Sequence, residues 1–223
     1  MSIQKIRIEN YKLFDKFEME FDAGINILVG DNEVGKSTVI EAIHLALTGI
    51  INGKSLNTEL TQYLFNNTAI NRYVESIEAG TPIEAPEIRI ELFFHECDEV
   101  AILKGTNNKY SEDACGITLA ITLIDESGEY AELLKSGNTI KTLPIEYYEA
   151  KWSTFADKHV TTKSIPIKSA FVDSSLARYQ NGSDIYFADC PARFRAGGSR
   201  EDFTSAQAYE RGFYGKRCRY KNK

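Results

Sequence analysis

INILVGDNEVGKST, Ile25 to Thr38, sets an apolar run directly before a glycine loop, a lysine and two hydroxyls. The last nine residues match G-x-x-x-x-G-K-[ST] at Gly30, Gly35, Lys36 and Ser37. A loop that curls around a phosphate must point successive backbone N–H groups inward, and side chains at the glycines would block that approach. The helix expected next, Lys36 to Thr48, would aim its N-terminal N–H groups and positive dipole end at the same anion. Lys36 has the reach for β- and γ-phosphates, and the Ser37 hydroxyl suits a bridging Mg²⁺. At average residue frequencies a chance match occurs in roughly 1% of chains this long. A buried strand before the loop and a helix after it lower that further, so nucleotide binding is preferred to a strand–helix turn that binds nothing.

Working outward, INILV (25–29) is a continuous apolar run, which predicts a central strand buried on both faces. Residues 3–8 and 17–21 alternate polar and apolar and predict strands, with a turn near Phe14 and Asp15. The helix 36–48 carries Val39, Ile40, Ile43, Leu45, Ala46 and Leu47 and should stop at Gly49. Residues 50–82 are polar and Asn-rich, with a short helix around Leu60 to Phe65. Strands are predicted over 86–94, 116–125, 144–156 and 164–173. The segment 130–143 should pair with 116–125 across a hairpin turn at DESG. The expected class is α/β.

The chain has 223 residues, 43% of them hydrophobic, with 12 Tyr and 12 Phe, enough for a real core. No run approaches a membrane span, and MSIQKIRIENYK alternates rather than forming a signal peptide. Cys97, Cys115, Cys190 and Cys218 lack CxxC pairing and read as reduced thiols, so a cytoplasmic protein is expected. Residues 193–223 carry nine Lys and Arg against three acids, so this tail is +6 on a body of −12. Such a tail suggests a nucleic-acid arm.

Hydrolysis also needs a carboxylate to hold the metal and a group to position water. ITLIDE (121–126) has the form of an apolar strand ending in acids, but DESG reads as ordinary hairpin chemistry with the acids exposed to water. His44, three residues past Glu41, reads as a satisfied helix-face histidine. His95 and Cys97 have no second pair at ligand spacing. Trp152, Tyr147 and Tyr148 fit core and sheet surface better than a base-stacking platform.

The stretch KIRIENYKLFDKFEMEFDAGINILVGDNEVGKSTVIEAIHLAL resembles the start of ABC-type ATPases of the RecF and structural-maintenance-of-chromosomes group. The shared pattern is I-x-N-[FY]-[KR]-x-F, an apolar strand, then G-x-N-x-x-G-K-[ST] with Asn32 in place. Within that group, PEIRIELFF, YYEAKWSTFA and SSLARYQNGSDIY are similar to the OLD (overcoming lysogenisation defect) family of ATP-dependent endonucleases. The resemblance spans residues 1–186. It implies the N-terminal lobe of a P-loop ATPase head with a mixed sheet, ATP and Mg²⁺ as cofactors, DNA as a partner, and dimerisation of heads around ATP. By position it implies that Gly30, Asp31, Asn32, Glu33, Val34, Gly35, Lys36, Ser37 and Thr38 contact the nucleotide, with Ser37 on the metal. Gln180 would sense the γ-phosphate, and Lys12 would approach the nucleotide. Full-length OLD relatives add a Toprim nuclease domain. Neither its carboxylates, an LSGG-like helix nor a late Walker B strand is read here, so the expected lobe is incomplete. Past Tyr186 the periodicity ends. The neighbouring reading frame from Phe187, with freely chosen codons, can be made to resemble the OLD continuation, so 187–223 is expected to be out-of-frame or disordered.

Overall fold

A computed structural model describes residues 2–125, 128–130, 132 and 142–171. The chain divides into two units, Met1–Ser169 and Ala170–Lys223, and every element named below lies in the first. Two strands open the chain, β1 (Ile3–Tyr11) and β2 (Phe14–Glu20), joined by a tight turn at Lys12 and Leu13, two residues earlier than the sequence suggests. Helix α1 (Lys36–Thr48) follows the glycine loop and ends at Gly49, whose left-handed backbone (φ 68) returns its N–H to Leu45 O. Then come the short pair β3 (Ile50–Ile51) and β4 (Lys54–Ser55), α2 (Leu56–Glu59), a 3₁₀ turn Gln62–Leu64 and α3 (Asn67–Glu78). The remaining strands are β5 (Ile88–Phe94), β6 (Lys104–Gly105), β7 (Ala114–Leu123) and β8 (Tyr148–Thr154).

The main sheet runs β2-β1-β5-β7, with β6 and β8 sharing the far edge of β7, and every described pairing in it is antiparallel. Alternation along the strands decides its two faces. Ile6, Leu92 and Ile117 lie in register, as do Ile8, Ile90 and Leu119, and all are fully buried. Helix α1 packs on this face, presenting Val39, Ala42, Leu45 and Ala46. Trp152 on β8 seals the contact by donating its indole N–H to Ala46 O at 2.9 Å. Tyr148 donates to Pro86 O at 2.9 Å. Both aromatics therefore serve packing, as expected.

The opposite face carries a cross-strand row of polar residues in direct register: Glu18, Arg7, Glu91, Thr118 and Ser153. Arg7 is buried and meets Glu91 Oε2 at 3.4 Å, Glu18 Oε1 at 3.3 Å and the carboxylate of Glu9. Glu91 is fully buried, and its Oε1 accepts no hydrogen bond from the described residues. Burial raises the Glu91 carboxyl above its usual range, an effect that the Arg7 and Arg89 cations partly offset.

Several expectations change. Residues 25–29 form no strand: Ile25, Ile27 and Val29 are 92%, 80% and 88% exposed, and no described strand pairs with them. A buried strand needs neighbours for its backbone and cover for both faces, and among the described residues neither is supplied. Locally the Asn26 amide wraps back instead, bonding Asp22 N and Asp22 O at 2.9 Å. The DESG turn exists, with Gly128 N donating to Asp125 O at 3.3 Å, but it feeds a helical turn in which Glu132 N bonds Gly128 O. Glu129, Tyr130 and Glu132 are helical, and β8 takes the place beside β7 that was predicted for 130–143; residues 133–141 lie outside the described set. Tyr130, Leu133 and Leu134 sit at helical spacing, a signal the hairpin reading overrode. Asp125 is half-buried rather than exposed. The stretch 164–171 has no strand, and α3 appears where only polar loop was read. Its start is capped by Asn66, whose side chain accepts from Thr68 N and Ala69 N. Among the described residues no helix is long and apolar enough to cross a membrane.

Replacing Arg7 by Met should strand a buried carboxylate and cost roughly 3–5 kcal/mol. Glu91→Gln should be far milder, since Arg7 keeps Glu9 and Glu18. Because the folded-state carboxyl of Glu91 is raised, its contribution is fullest at acid pH and fades as pH rises through the folded value. Melting temperatures across pH should therefore show a slope in wild type that Glu91→Gln flattens.

Candidate nucleotide-binding site

The loop leaves Val29 and closes on α1 through two left-handed residues, Glu33 (φ 69) and Gly35 (φ 94). A Cβ built on Gly35 would lie 2.4 Å from Phe14 Cζ and 3.2 Å from Leu13 Cδ2, so only glycine fits the angle and the space together. At Gly30 a Cβ would meet only the tip of Val34, at 3.1 Å. The Lys36 ammonium turns back over the loop, donating to Gly30 O at 2.8 Å and to Asp31 O. Its charge therefore sits over the concavity that an anion would enter.

Helix α1 begins without a side-chain cap and without an acid in its first turn. Its opening N–H groups have no acceptor inside the helix, and its positive end is not neutralised locally. Ser37 is exposed and Thr38 half-buried beside that end. A cavity of about 630 Å³ opens next to the loop, lined by Lys36, Ser37, Asn26, Leu28, Ile40 and Ile43 among others. A cradle that a Cβ would fill, a lysine and a hydroxyl fit a Mg²⁺-nucleotide, with Ser37 as the protein's own ligand to the metal.

Beneath the loop lies the β1–β2 turn. Lys12, at φ 47, bonds Glu41 Oε1 on α1 at 2.5 Å, and Tyr11 donates its phenol to the same oxygen. Burial, with Glu41 beside it, raises the Tyr11 phenol, which stays protonated as a donor. Glu41, Leu13 and Phe14 were not singled out by sequence reasoning, although Phe14 closes the I-x-N-[FY]-[KR]-x-F pattern that begins at Ile8. That pattern was a usable signal.

Gln180 lies outside the described residues. His44 is half-buried on α1, with Nδ1 3.0 Å from Ser169 Oγ, a satisfied helix-face histidine. Among the described residues no three His, Cys, Asp or Glu side chains gather as metal ligands, His95 and Cys97 included. Cys97 and Cys115 are free thiols.

A phosphate-type loop on the first helix of an α/β unit, backed by a β-hairpin, defines the N-terminal lobe of an ABC-type P-loop ATPase. The chain belongs to the AAA domain family, whose pattern matches residues 5–187. It is 47% identical over 193 residues to the DNA double-strand break repair Rad50 ATPase of Thermoplasma acidophilum, covering 86% of this chain and 17% of that protein. The Rad50 ATPase of Methanopyrus kandleri is 53% identical over 45 residues, covering 20% of this chain and 5% of that protein. The DNA replication and repair protein RecF of Lactococcus lactis is 26% identical over 84 residues, covering 38% and 23%. The chain thus spans only 5% to 23% of the lengths of these relatives. A solved structure from work on SMC ATPases aligns over 86% of this chain and 95% of its own, at 14% identity and a TM-score of 0.40.

Gly35→Ala should combine a left-handed backbone penalty of roughly 1–2 kcal/mol with the Phe14 clash. It should lower the melting temperature and remove nucleotide binding, whereas Gly30→Ala should lower affinity with little thermal effect. Equal losses of melting temperature in both variants would contradict the geometry.

Proposed function

We propose that this chain binds ATP with Mg²⁺ as the N-terminal part of a DNA-directed ATPase related to Rad50 and RecF. The observation that carries the reading is the left-handed Gly35 at the uncapped start of α1, with the Lys36 ammonium over the loop. In it the loop N–H groups and α1 take the phosphates, Lys36 moves from Gly30 O and Asp31 O onto them, and Ser37 ligates Mg²⁺. Asn32, Thr38 and Lys12 complete the contacts, and Gln180 reports on the γ-phosphate. When bound, Mg²⁺ neutralises phosphate charge and fixes its orientation. The finer reading is an OLD-like ATPase–endonuclease lobe that pairs with a second head around ATP and acts on DNA. It rests on the stretches PEIRIELFF, YYEAKWSTFA and SSLARYQNGSDIY.

A second reading is a nucleotide-binding interaction module that needs a partner chain for hydrolysis. The exposed apolar side chains of Ile25, Ile27 and Val29, next to a cavity lined by Ile40 and Ile43, favour it. Both readings expect binding with little or no turnover by this chain alone.

Calorimetric titration of the full chain with Mg·ATP, beside a steady-state phosphate-release assay, tests the reading. Binding should vanish in Lys36→Ala, and phosphate release should stay at background in both proteins. ATP binding that survives Lys36→Ala would sink the assignment of the loop. Turnover that depends on Lys36 would show that the chain carries its own catalytic carboxylate and would return attention to Asp125.

A further inference from the structure

The turn under the loop is held unusually tightly. Asn10 (φ 54) and Lys12 (φ 47) both occupy the left-handed region, flanking a fully buried Tyr11. Two non-glycine residues there in a span of three persist only where surrounding contacts over-determine them. The segment after the 3₁₀ turn does so. Asn66 N donates to Asn10 O at 2.9 Å, Lys12 N to Leu64 O at 2.8 Å, and Asn66 Nδ2 to Lys12 O at 2.9 Å. Asn10 Nδ2 reaches Glu87 O at 2.8 Å. Tyr11 bridges to Phe65.

Those bonds tie the turn to the sheet side of the molecule. Glu41 ties it to the helix side. A single oxygen, Oε1, takes both the Tyr11 phenol and the Lys12 ammonium. Glu41 stands five residues beyond Lys36 on α1, so the helix that presents the loop also carries the anchor of the turn beneath it. The next turn residues, Leu13 and Phe14, fill the space under Gly35, and Phe14 is fixed further by stacking on Phe17 at 4.4 Å between ring centres.

We propose that Glu41 is a positioning residue for the nucleotide site: by gripping Tyr11 and Lys12 it holds Phe14 under Gly35 and so sets the shape of the phosphate loop. This rests on the reading of Gly30–Thr38 as the nucleotide loop. Glu41 touches no phosphate in this scheme; it acts through Phe14. Without the grip, the turn is free to slide along α1, the packing behind Gly35 is lost, and the loop N–H groups no longer converge.

The test is a double-mutant cycle on the full chain, read by calorimetric affinity for Mg·ATP. Glu41→Ala and Phe14→Ala should each weaken binding about tenfold. Because Glu41 acts through Phe14, the double variant should lose about tenfold as well, not a hundredfold. Glu41→Gln, which keeps an acceptor oxygen for both donors, should recover most of the affinity, a rescue that unspecific destabilisation would not give. Unchanged affinity in Glu41→Ala, or independent losses that multiply in the double variant, would overturn the proposal. If Glu41→Ala fails to fold, the cycle runs with Glu41→Gln, whose smaller loss should vanish in the Phe14→Ala background; a loss that persists there would equally overturn it. Lys36→Ala in the same series separates the two readings. If it leaves binding intact, the loop assignment fails, and if it abolishes binding while Glu41 is silent, only the positioning role fails.

Discussion

The arrangement turns on one close approach: the underside of Gly35 lies where a Cβ would be 2.4 Å from the Phe14 ring. Both partners are constrained by it. The loop residue must be glycine, because it is left-handed and because there is no room above the ring. The β1–β2 connection must be tight, because a longer turn could not bring an aromatic side chain to that point while β1 and β2 remain paired from Tyr11 to Phe14. Sheet and helix are thereby joined at the mouth of the candidate site, not only through the core behind it.

The core behind supplies the rigidity. Rows of Ile and Leu in register across β1, β5 and β7 give α1 a flat apolar bed, and Trp152 pins the helix at Ala46. The other face spends its one buried cation, among the described residues, on an ionic row that bridges β2, β1 and β5. Such a row adds little net stability, since desolvation offsets most of the attraction, but it penalises any register in which Arg7 and Glu91 are not opposite. Since β1 leads directly into the turn under Gly35, its register also sets where that turn falls.

The resemblance to RecF and SMC-type ATPases acquires a physical explanation residue by residue. In I-x-N-[FY]-[KR]-x-F, Asn10 takes the left-handed angle that asparagine tolerates, Tyr11 fills the core with its phenol on Glu41, Lys12 shares that carboxylate, and Phe14 backs the glycine loop. A pattern that looks like a strand with a few stray polar residues is the support of the phosphate loop.

The glycine loop, α1 with its stop at Gly49, and the strands β1, β5, β7 and β8 were legible in the sequence because each depends on local chemistry: a spacing of glycines, a 3.6 period or a period of two. What stood in the sequence but could not be weighed was everything that depends on a neighbour. The run 25–29 is apolar enough for a central strand, yet a strand exists only where another strand accepts its hydrogen bonds, and among the described residues none does. The stretch after DESG carried both a turn signal and a helical spacing, and β8, arriving later, took the edge of β7. Glu41 looked like an ordinary surface acid on a helix. Only the tertiary structure, by folding a strained turn onto α1, brought Tyr11 and Lys12 to one of its oxygens and Phe14 beneath Gly35.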